Sequence, residues 1–288
     1  MADNKFLGQN KSMLAWMGNK SSVADYIVGL MPKHDIYIEP FFGSGAVFFA
    51  KKPAKLEIVN DVNDLLVNFW NVIKDDMDGF LAKFDVALYA RTTFDEYRNT
   101  DWNALDRVEK AFRFYYLVRN AWCRLYRVNS SGKFNAPFAG AANSSLLKGD
   151  RNLARQFFDT RQLIAAAHAR LERVCIENLD YKEVIKKYEG TNILYFFDPP
   201  YSTTYQYCTD FNMDEFIGIL KELKGKFILT LNAELKDNFK GYNIVDLNPT
   251  AKMNSTNPDI TFSQILVTNF TAGVTRDRQD GWRQEPLF

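Results

Sequence analysis

A run of large apolar residues, Ile193, Leu194, Tyr195, Phe196 and Phe197, stops abruptly at Asp198-Pro199-Pro200-Tyr201. This junction constrains the fold more than any other stretch. Five consecutive apolar side chains bounded by breakers read as a strand buried on both faces, as in a parallel sheet. Neither proline has an N–H for the ladder, and each ring fixes φ, so the strand ends there. The chain leaves in a rigid loop at the carboxyl end of the strand, where open α/β sheets carry their sites. The loop offers a carboxylate, proline carbonyls and an aromatic face. That set suits a planar ring bearing an amino group. Asp198 and the Pro199 carbonyl would each accept one N–H, Pro200 would stiffen the loop, and Tyr201 would stack on the ring.

Strand-like segments recur at 36–39, 56–59, 174–176, 227–231, 242–245 and 265–270, the last of them expected to be the final strand of the chain. Helical patterns begin at 46 and cover 64–74. From 75 to 170 the periodicity is helical, with no strong strand signal. Strands alternating with helices predict an α/β fold with a mostly parallel, doubly wound sheet. The helical block reads as an insertion forming its own lobe. The expected division is a discontinuous catalytic domain over 1–74 and 171–272, an insertion over 75–170 and a polar tail over 273–288.

At 288 residues and 47% hydrophobic, the chain can bury a substantial core. Cys123, Cys175 and Cys208 are odd in number and far apart, which suits a reducing cytoplasm and no disulfide framework. With only His34 and His168, and no Cys/His cluster, no metal site is expected. No apolar run approaches the roughly 18 residues of a membrane span, and the polar stretch 1–12 does not read as a signal peptide.

Glu39-Pro40-Phe41-Phe42-Gly43-Ser44-Gly45 joins a strand to a helix. Gly43 and Gly45 allow a tight turn and close approach of a ligand. A dinucleotide fingerprint needs a third glycine where Phe48 stands, so a cofactor without phosphates, such as S-adenosylmethionine, fits better. A plain strand–helix turn is equally compatible. Asp61 ends the next strand, placed to accept both hydroxyls of an adenosine ribose; it could equally cap the following helix, as could Asn60 or Asn63. Lys20, in Trp16-Met17-Gly18-Asn19-Lys20, could neutralise a ligand carboxylate.

The net charge of +1 hides a segregation. Residues 107–173 hold thirteen Lys/Arg and four Asp/Glu, a net +9, whereas 57–101 hold ten acids and four bases. Such an excess suits a polyanion or a solvated helix face. Lys110, Arg113, Leu117, Asn120, Arg124 and Arg127 share one helical sector. Val108, Ala111, Tyr115, Val118, Trp122 and Leu125 fall opposite. The segment 128–135 then reads as a hairpin or tight loop, because of Asn129, Ser130, Ser131 and Gly132. A basic helix leading into a polar loop suits phosphate contacts with groove insertion.

Together these segments resemble the Dam-type DNA adenine-N6 methyltransferases. The matches are Trp16 to Lys20, Glu39 to Gly45, Asn60-Asp61-Val62-Asn63, Arg127-Val128-Asn129 through Phe134-Asn135-Ala136-Pro137-Phe138, Asn178-Leu179-Asp180-Tyr181, and Asp198 to Tyr201, in the family's order. The resemblance implies a Rossmann-like domain with a helical target-recognition insertion, bacterial or phage-encoded, acting on double-stranded DNA in the cytoplasm, in a restriction–modification setting. It implies that S-adenosylmethionine meets Trp16, Lys20, Glu39, Phe41, Gly43, Gly45, Asp61, Asp180, Tyr181 and Asp198. It implies that Asp198, Pro199, Pro200 and Tyr201 hold a flipped adenine. The basic sector and its loop, with Lys110, Arg113, Arg124, Arg127 and Lys133, together with Asn129 and Asn135 of the matched segment, are expected to meet DNA. Two stretches depart from the family pattern, the short, weakly basic 139–148 and the nearly uncharged 248–257, and both bear on target sequence. Cytosine-N4 methylation, RNA or a protein amide as substrate in place of DNA, and a non-catalytic DNA-binding module are the alternatives.

Overall fold

The computed structural model describes residues 13, 14, 16, 18–122, 126–129, 133–139, 160–200, 211–247 and 263–271, and the backbone of 274–275 and 283–284. A seven-stranded sheet runs through the middle. Its strands are β1 (Ile36–Glu39), β2 (Leu56–Asn60), β3 (Cys175–Glu177), β4 (Ile193–Phe197), β5 (Lys226–Asn232), β6 (Asn243–Leu247) and β7 (Gln264–Thr268), in the spatial order β3-β2-β1-β4-β5-β7-β6. The first five are parallel, and β7 lies antiparallel between β5 and β6. This is the mostly parallel α/β sheet expected of a Rossmann-like methyltransferase.

All five residues of β4 are buried, because β1 and β5 flank it and both of its faces are covered. Phe196 packs into a cluster with Tyr37, Phe48 and Trp70, while Tyr195 and Phe197 enter the opposite cluster with Ile38 and Phe216. The chain runs outward from β1 to β3, then returns to lay β4 on the other side of β1. The order therefore reverses between β1 and β4, the switch point at which such sheets open a crevice at their carboxyl ends.

Helices α1 (Ala24–Gly29), α2 (Ala46–Ala50), α3 (Asp64–Asp75), α4 (Met77–Val86), α5 (Arg91–Arg98), α6 (Arg107–Asn120), α7 (Arg161–Leu171), α8 (Tyr181–Lys187) and α9 (Met213–Glu222) fill the layers among the described residues. Asn63, Asp76, Asp106 and Asn212 each cap a helix by accepting a backbone N–H, which fixes where α3, α4, α6 and α9 begin.

The helices after residue 75 pack into the same core as the sheet, and three expectations change. Phe80, Phe84, Phe94, Phe112 and Tyr115 belong to the same buried cluster as Tyr37, Phe42 and Trp70. The reason is α3, which is apolar enough to be covered on two sides: Phe69 of α3 stacks on Tyr115 of α6 at 5.8 Å. Next, β7 is not the last strand, because Val274–Thr275 (β8) pairs with Arg283–Gln284 (β9) within the stretch read as a tail. The sector of α6 expected to be polar is also closed. Leu117 and Asn120 are buried, as are Phe112, Phe114 and Tyr116, so the helix is covered nearly all round. Finally, α6 ends at Asn120 and does not carry Trp122, which stands exposed rather than on an apolar face.

Candidate active site

The two loops that leave β1 and β4 meet at the switch point, and the turn after Trp16 closes over them. Asp198 follows β4 directly. Its Oδ1 accepts a hydrogen bond from the Thr230 hydroxyl of β5 at 2.6 Å. Lys20 Nζ lies 2.8 Å from each carboxylate oxygen and donates to the Gly18 carbonyl at 2.7 Å. Lys20 is 4% exposed, so it is a buried counter-charge and not the solvated lysine its sequence context allowed. Pro199 is buried and Pro200 half-buried beside it. The partner expected to stack, Tyr201, lies outside the described residues.

The glycine turn is held from beneath. Gly43 has φ +49° and Gly45 has φ +66°, a region that glycine enters without steric cost. A Cβ on Gly43 would sit 2.8 Å from the Trp16 ring, so Trp16 packs directly on this turn. Trp16 also stacks on Tyr126 at 5.2 Å, linking the turn to the segment after α6. Asp61, past the end of β2, accepts the Gly43 N–H at 2.9 Å on Oδ2 and the Asn63 N–H at 3.0 Å on Oδ1. Asn63, not Asp61, caps α3, so the capping role open in the sequence falls elsewhere. Each Asp61 oxygen keeps a further lone pair for a ligand hydroxyl. Burial raises the Asp61 carboxyl above the ordinary carboxylate value, and its backbone hydrogen bonds oppose that rise.

Asn60 binds the neighbouring loops together. Its buried amide donates to the Pro40 and Leu179 carbonyls at 2.9 and 3.0 Å and accepts the Leu179 N–H at 2.9 Å. The sequence offered Asn60 only as a capping candidate and a motif residue. An amide where the buried strand β2 ends was the available signal, since a buried polar side chain has to be hydrogen-bonded.

Phe41 and Tyr181 form an aromatic wall, with ring centroids 5.2 Å apart, continued by Phe211 and Phe216. The Tyr181 hydroxyl is buried with no partner among the described residues, and burial pushes it up to about 12. Asp180 accepts the Lys182 N–H and caps α8, so one of its oxygens already serves the fold. Glu39 is buried at the end of β1, where Tyr37 Oη donates to its Oε2 at 2.7 Å. Burial, joined by the nearby Asp198 charge, holds the Glu39 carboxyl well above the ordinary range despite the Tyr37 hydrogen bond.

Of the residues expected to meet S-adenosylmethionine, Trp16, Lys20, Glu39, Gly43, Asp61 and Asp198 therefore gather around the switch point. Phe41 and Tyr181 stand on its aromatic side. The donor set fits that group: carboxylates for hydroxyls and an ammonium, and an orphaned hydroxyl in the wall; the space beside Gly43 and Gly45 is filled by the rings of Trp16, Phe42 and Phe49. Among the described residues no cluster of three or more His, Cys, Asp or Glu could hold a metal ion.

The segment after α6 turns back on itself. Asn120 O accepts the Ala139 N–H, Trp122 donates its N–H to Pro137 O, and Ala121 bridges Phe138. Farther out, Asn135 N–H meets Arg127 O at 2.7 Å, Asn129 N–H meets Lys133 O at 2.9 Å, and Val128 bridges Phe134. Val128, Phe134 and Ala136 are buried, whereas Arg127, Asn129, Lys133 and Asn135 are exposed. The period-two alternation of a strand pair thus puts the four polar residues on one outward face. Trp122 joins the exposed residues of this hairpin. The sequence reading placed it on an apolar helix face and missed it.

Arg113 belongs elsewhere. It donates to Glu109 at 2.6 Å and to the Thr100 hydroxyl at 2.5 Å, and it lies over the Tyr97 ring at 4.5 Å. Lys83 pairs with the same Glu109, so Arg113 is tied into a network that clamps α4, α5 and α6. Lys110 is half-buried on α6, and Arg124 lies outside the described residues.

Residues 16–263 match the family described as D12 class N6 adenine-specific DNA methyltransferase. A type II methyltransferase of Lactococcus lactis subsp. cremoris is 27% identical over 284 residues, covering 88% of this chain and 94% of the relative. A type II methyltransferase of Methanocaldococcus jannaschii is 28% identical, covering 81% and 89%. A DNA adenine methylase of Haemophilus influenzae is 29% identical, covering 69% and 66%.

Proposed function

The chain belongs to the D12 class of N6 adenine-specific DNA methyltransferases, and from that premise we propose how its residues divide the work. The protein transfers a methyl group to the adenine amino nitrogen of DNA. The proposal is that it does so at a specific sequence in duplex DNA, on an adenine swung out of the stack into the crevice between β1 and β4. The observation that carries this reading is Asp198. It is a carboxylate at the switch point, oriented by two neighbouring side chains and only 19% exposed.

Bound in the crevice, S-adenosylmethionine supplies an electrophilic methyl group. Asp61 would hold the ribose hydroxyls, and Lys20 would meet the carboxylate end. Phe41 and Tyr181 would pack on the adenine, with the Tyr181 hydroxyl finding its missing partner there. Trp16 would wall the glycine turn, and Glu39 and Asp180 would border it.

An adenine amino group is a weak nucleophile, because its lone pair is conjugated with the ring. Asp198 and the Pro199 carbonyl would each accept one of its N–H bonds. That favours a pyramidal nitrogen and stabilises positive charge as the N–C bond forms and the methyl–sulfur bond breaks, its electron pair leaving with the sulfur of S-adenosylhomocysteine. A proton then leaves the nitrogen toward Asp198. Tyr201 would stack on the extruded base, and Pro200 holds the loop stiff. In-line placement of nitrogen and methyl supplies the rest of the rate.

Arg127, Asn129, Lys133 and Asn135 would face the duplex, with Lys110 and Arg124 adding positive charge and Trp122 adding an exposed aromatic surface. In this reading residues 75–170 carry recognition, while 1–74 and 171–272 carry cofactor and chemistry, although the two portions share one core. Sequencing that reports modified bases, on DNA from cells expressing the protein, tests the proposal. Methylated adenines in one recurring sequence are expected. Adenines methylated without any sequence context would overturn site specificity, and N4-methylcytosine would overturn the reading of the Asp198 loop.

A further inference from the structure

We propose that Thr230 is a positioning residue for methyl transfer, selecting which oxygen of Asp198 receives the adenine amino group. The assignment rests on Asp198 being that acceptor.

The argument begins with a buried hydroxyl where an apolar residue belongs. In β5, Phe227, Ile228, Leu229 and Leu231 are all fully buried, and Thr230 among them has no exposure at all. Its antiparallel partner is Leu266, and the Ile228 side chain lies on the same face. Valine has the same shape, suits strands equally well and carries no polar atom to satisfy. A hydroxyl at such a place is tolerated only when bonded.

The bond it makes is directional. A hydroxyl has one proton to give. Thr230 Oγ1 lies 2.6 Å from Asp198 Oδ1 and 3.3 Å from the Phe197 carbonyl, so the proton goes to the carboxylate. Hydrogen bonds to a carboxylate are the strong kind, and this one is donated from a sheet strand, the most rigid support available. It pins the Asp198 side-chain torsion and engages Oδ1 from the sheet side. Lys20 reaches both oxygens, but from the turn after Trp16, outside the sheet. When Lys20 turns to another anion in the crevice, Thr230 still holds Oδ1, and Oδ2 becomes the oxygen left open for an N–H. A misplacement of 1 Å in a reacting group can cost about a hundredfold in rate. The hydroxyl is therefore a small group with leverage.

The test compares Thr230→Val and Thr230→Ser with wild type. Three readouts are needed: single-turnover methyl transfer to unmethylated DNA with enzyme in excess, S-adenosylhomocysteine affinity by calorimetry, and thermal melting. Thr230→Val should melt within a few degrees of wild type and bind S-adenosylhomocysteine normally, because it fills the same space; its single-turnover rate should fall about tenfold to a hundredfold. Thr230→Ser, which keeps the hydroxyl, should recover most of the rate. A purely structural role predicts the reverse, with valine harmless and serine weakened by its lost methyl. Wild-type rates in Thr230→Val would overturn the assignment while leaving the function intact. Equal losses in the serine and valine variants would do the same, and the serine variant decides the matter even if the valine protein fails to fold. A wild-type protein that methylates DNA while Asp198→Ala does so equally well would instead overturn the reading of the site, and this assignment with it.

Discussion

The crevice between β1 and β4 and the hairpin after α6 hold their polar groups in opposite ways. In the crevice, Lys20, Glu39, Asn60 and Thr230 are buried, and each is tied to a named partner. On the hairpin, Arg127, Asn129, Lys133 and Asn135 stand in water over a buried seam of Val128 and Phe134. Buried partnered groups are costly to misplace and suit chemistry, whose rate depends on geometry. Exposed cations on a ribbon lose little when they shift, and they suit a polyanion whose phosphates recur along a backbone. The difference separates a site arranged in advance from a surface that conforms to what it meets.

Replacing Asp198 should show the contrast at its largest. Asp198→Ala is expected to lower single-turnover methylation by about a hundredfold or more, the usual scale for a lost electrostatic contact. DNA affinity should hardly change. A variant that kept its rate but released DNA would merge the two regions into one.

Asn60→Ala should be next. It strands the Leu179 N–H and two carbonyls, which costs on the order of 3 kcal/mol of stability and loosens the loops around Asp61. Denaturant unfolding would measure it. A loss below about 0.5 kcal/mol would mean that these loops are held by packing and not by the amide.

A smaller effect sits in pH. The folded Glu39 carboxyl is raised above its ordinary value of 4.5, so the folded state binds that proton more tightly than the unfolded chain. Its contribution to stability is full below the ordinary value and is lost as pH rises from there through the raised one. Glu39→Gln keeps an acceptor for Tyr37 and has no proton to lose. Its melting temperature should therefore gain on wild type steadily from pH 5 to pH 8, whereas a gap independent of pH would show that Glu39 does not titrate in this range.

The two regions were also unequally legible in the sequence. The crevice could be read because backbone chemistry wrote it: Pro199 and Pro200 had to end a strand, Gly43 and Gly45 had to turn tightly, and Asp61 had to follow β2. Of the groups that hold it in place, Asn60 was read only as a cap and a motif residue and Thr230 was overlooked, because their partners are remote in sequence. Each nevertheless left a trace as a polar residue in a buried strand. The hairpin was legible in Asn129, whose side chain and backbone both bond Lys133. The helix before it was not. Its charges follow a clean helical sector, but periodicity describes one helix and not its neighbours. Glu109 and Tyr97 claim Arg113, and the core claims Leu117 and Asn120. Trp122 was misassigned for a related reason, since nothing local marked the end of α6 at Asn120.

The central claim is that the hairpin binds and the crevice reacts. It is tested most directly by the DNA-concentration dependence of single-turnover methylation in a variant carrying Arg127→Gln and Lys133→Gln. The account predicts a wild-type plateau with half-saturation moved to higher DNA concentration, and a salt dependence of log K flattened by about two units, roughly one for each phosphate contact removed. Arg113→Gln, which loses only an internal clamp, should leave both half-saturation and salt slope as in wild type. A double variant whose plateau falls while its half-saturation stays fixed would contradict the division of labour between the two regions.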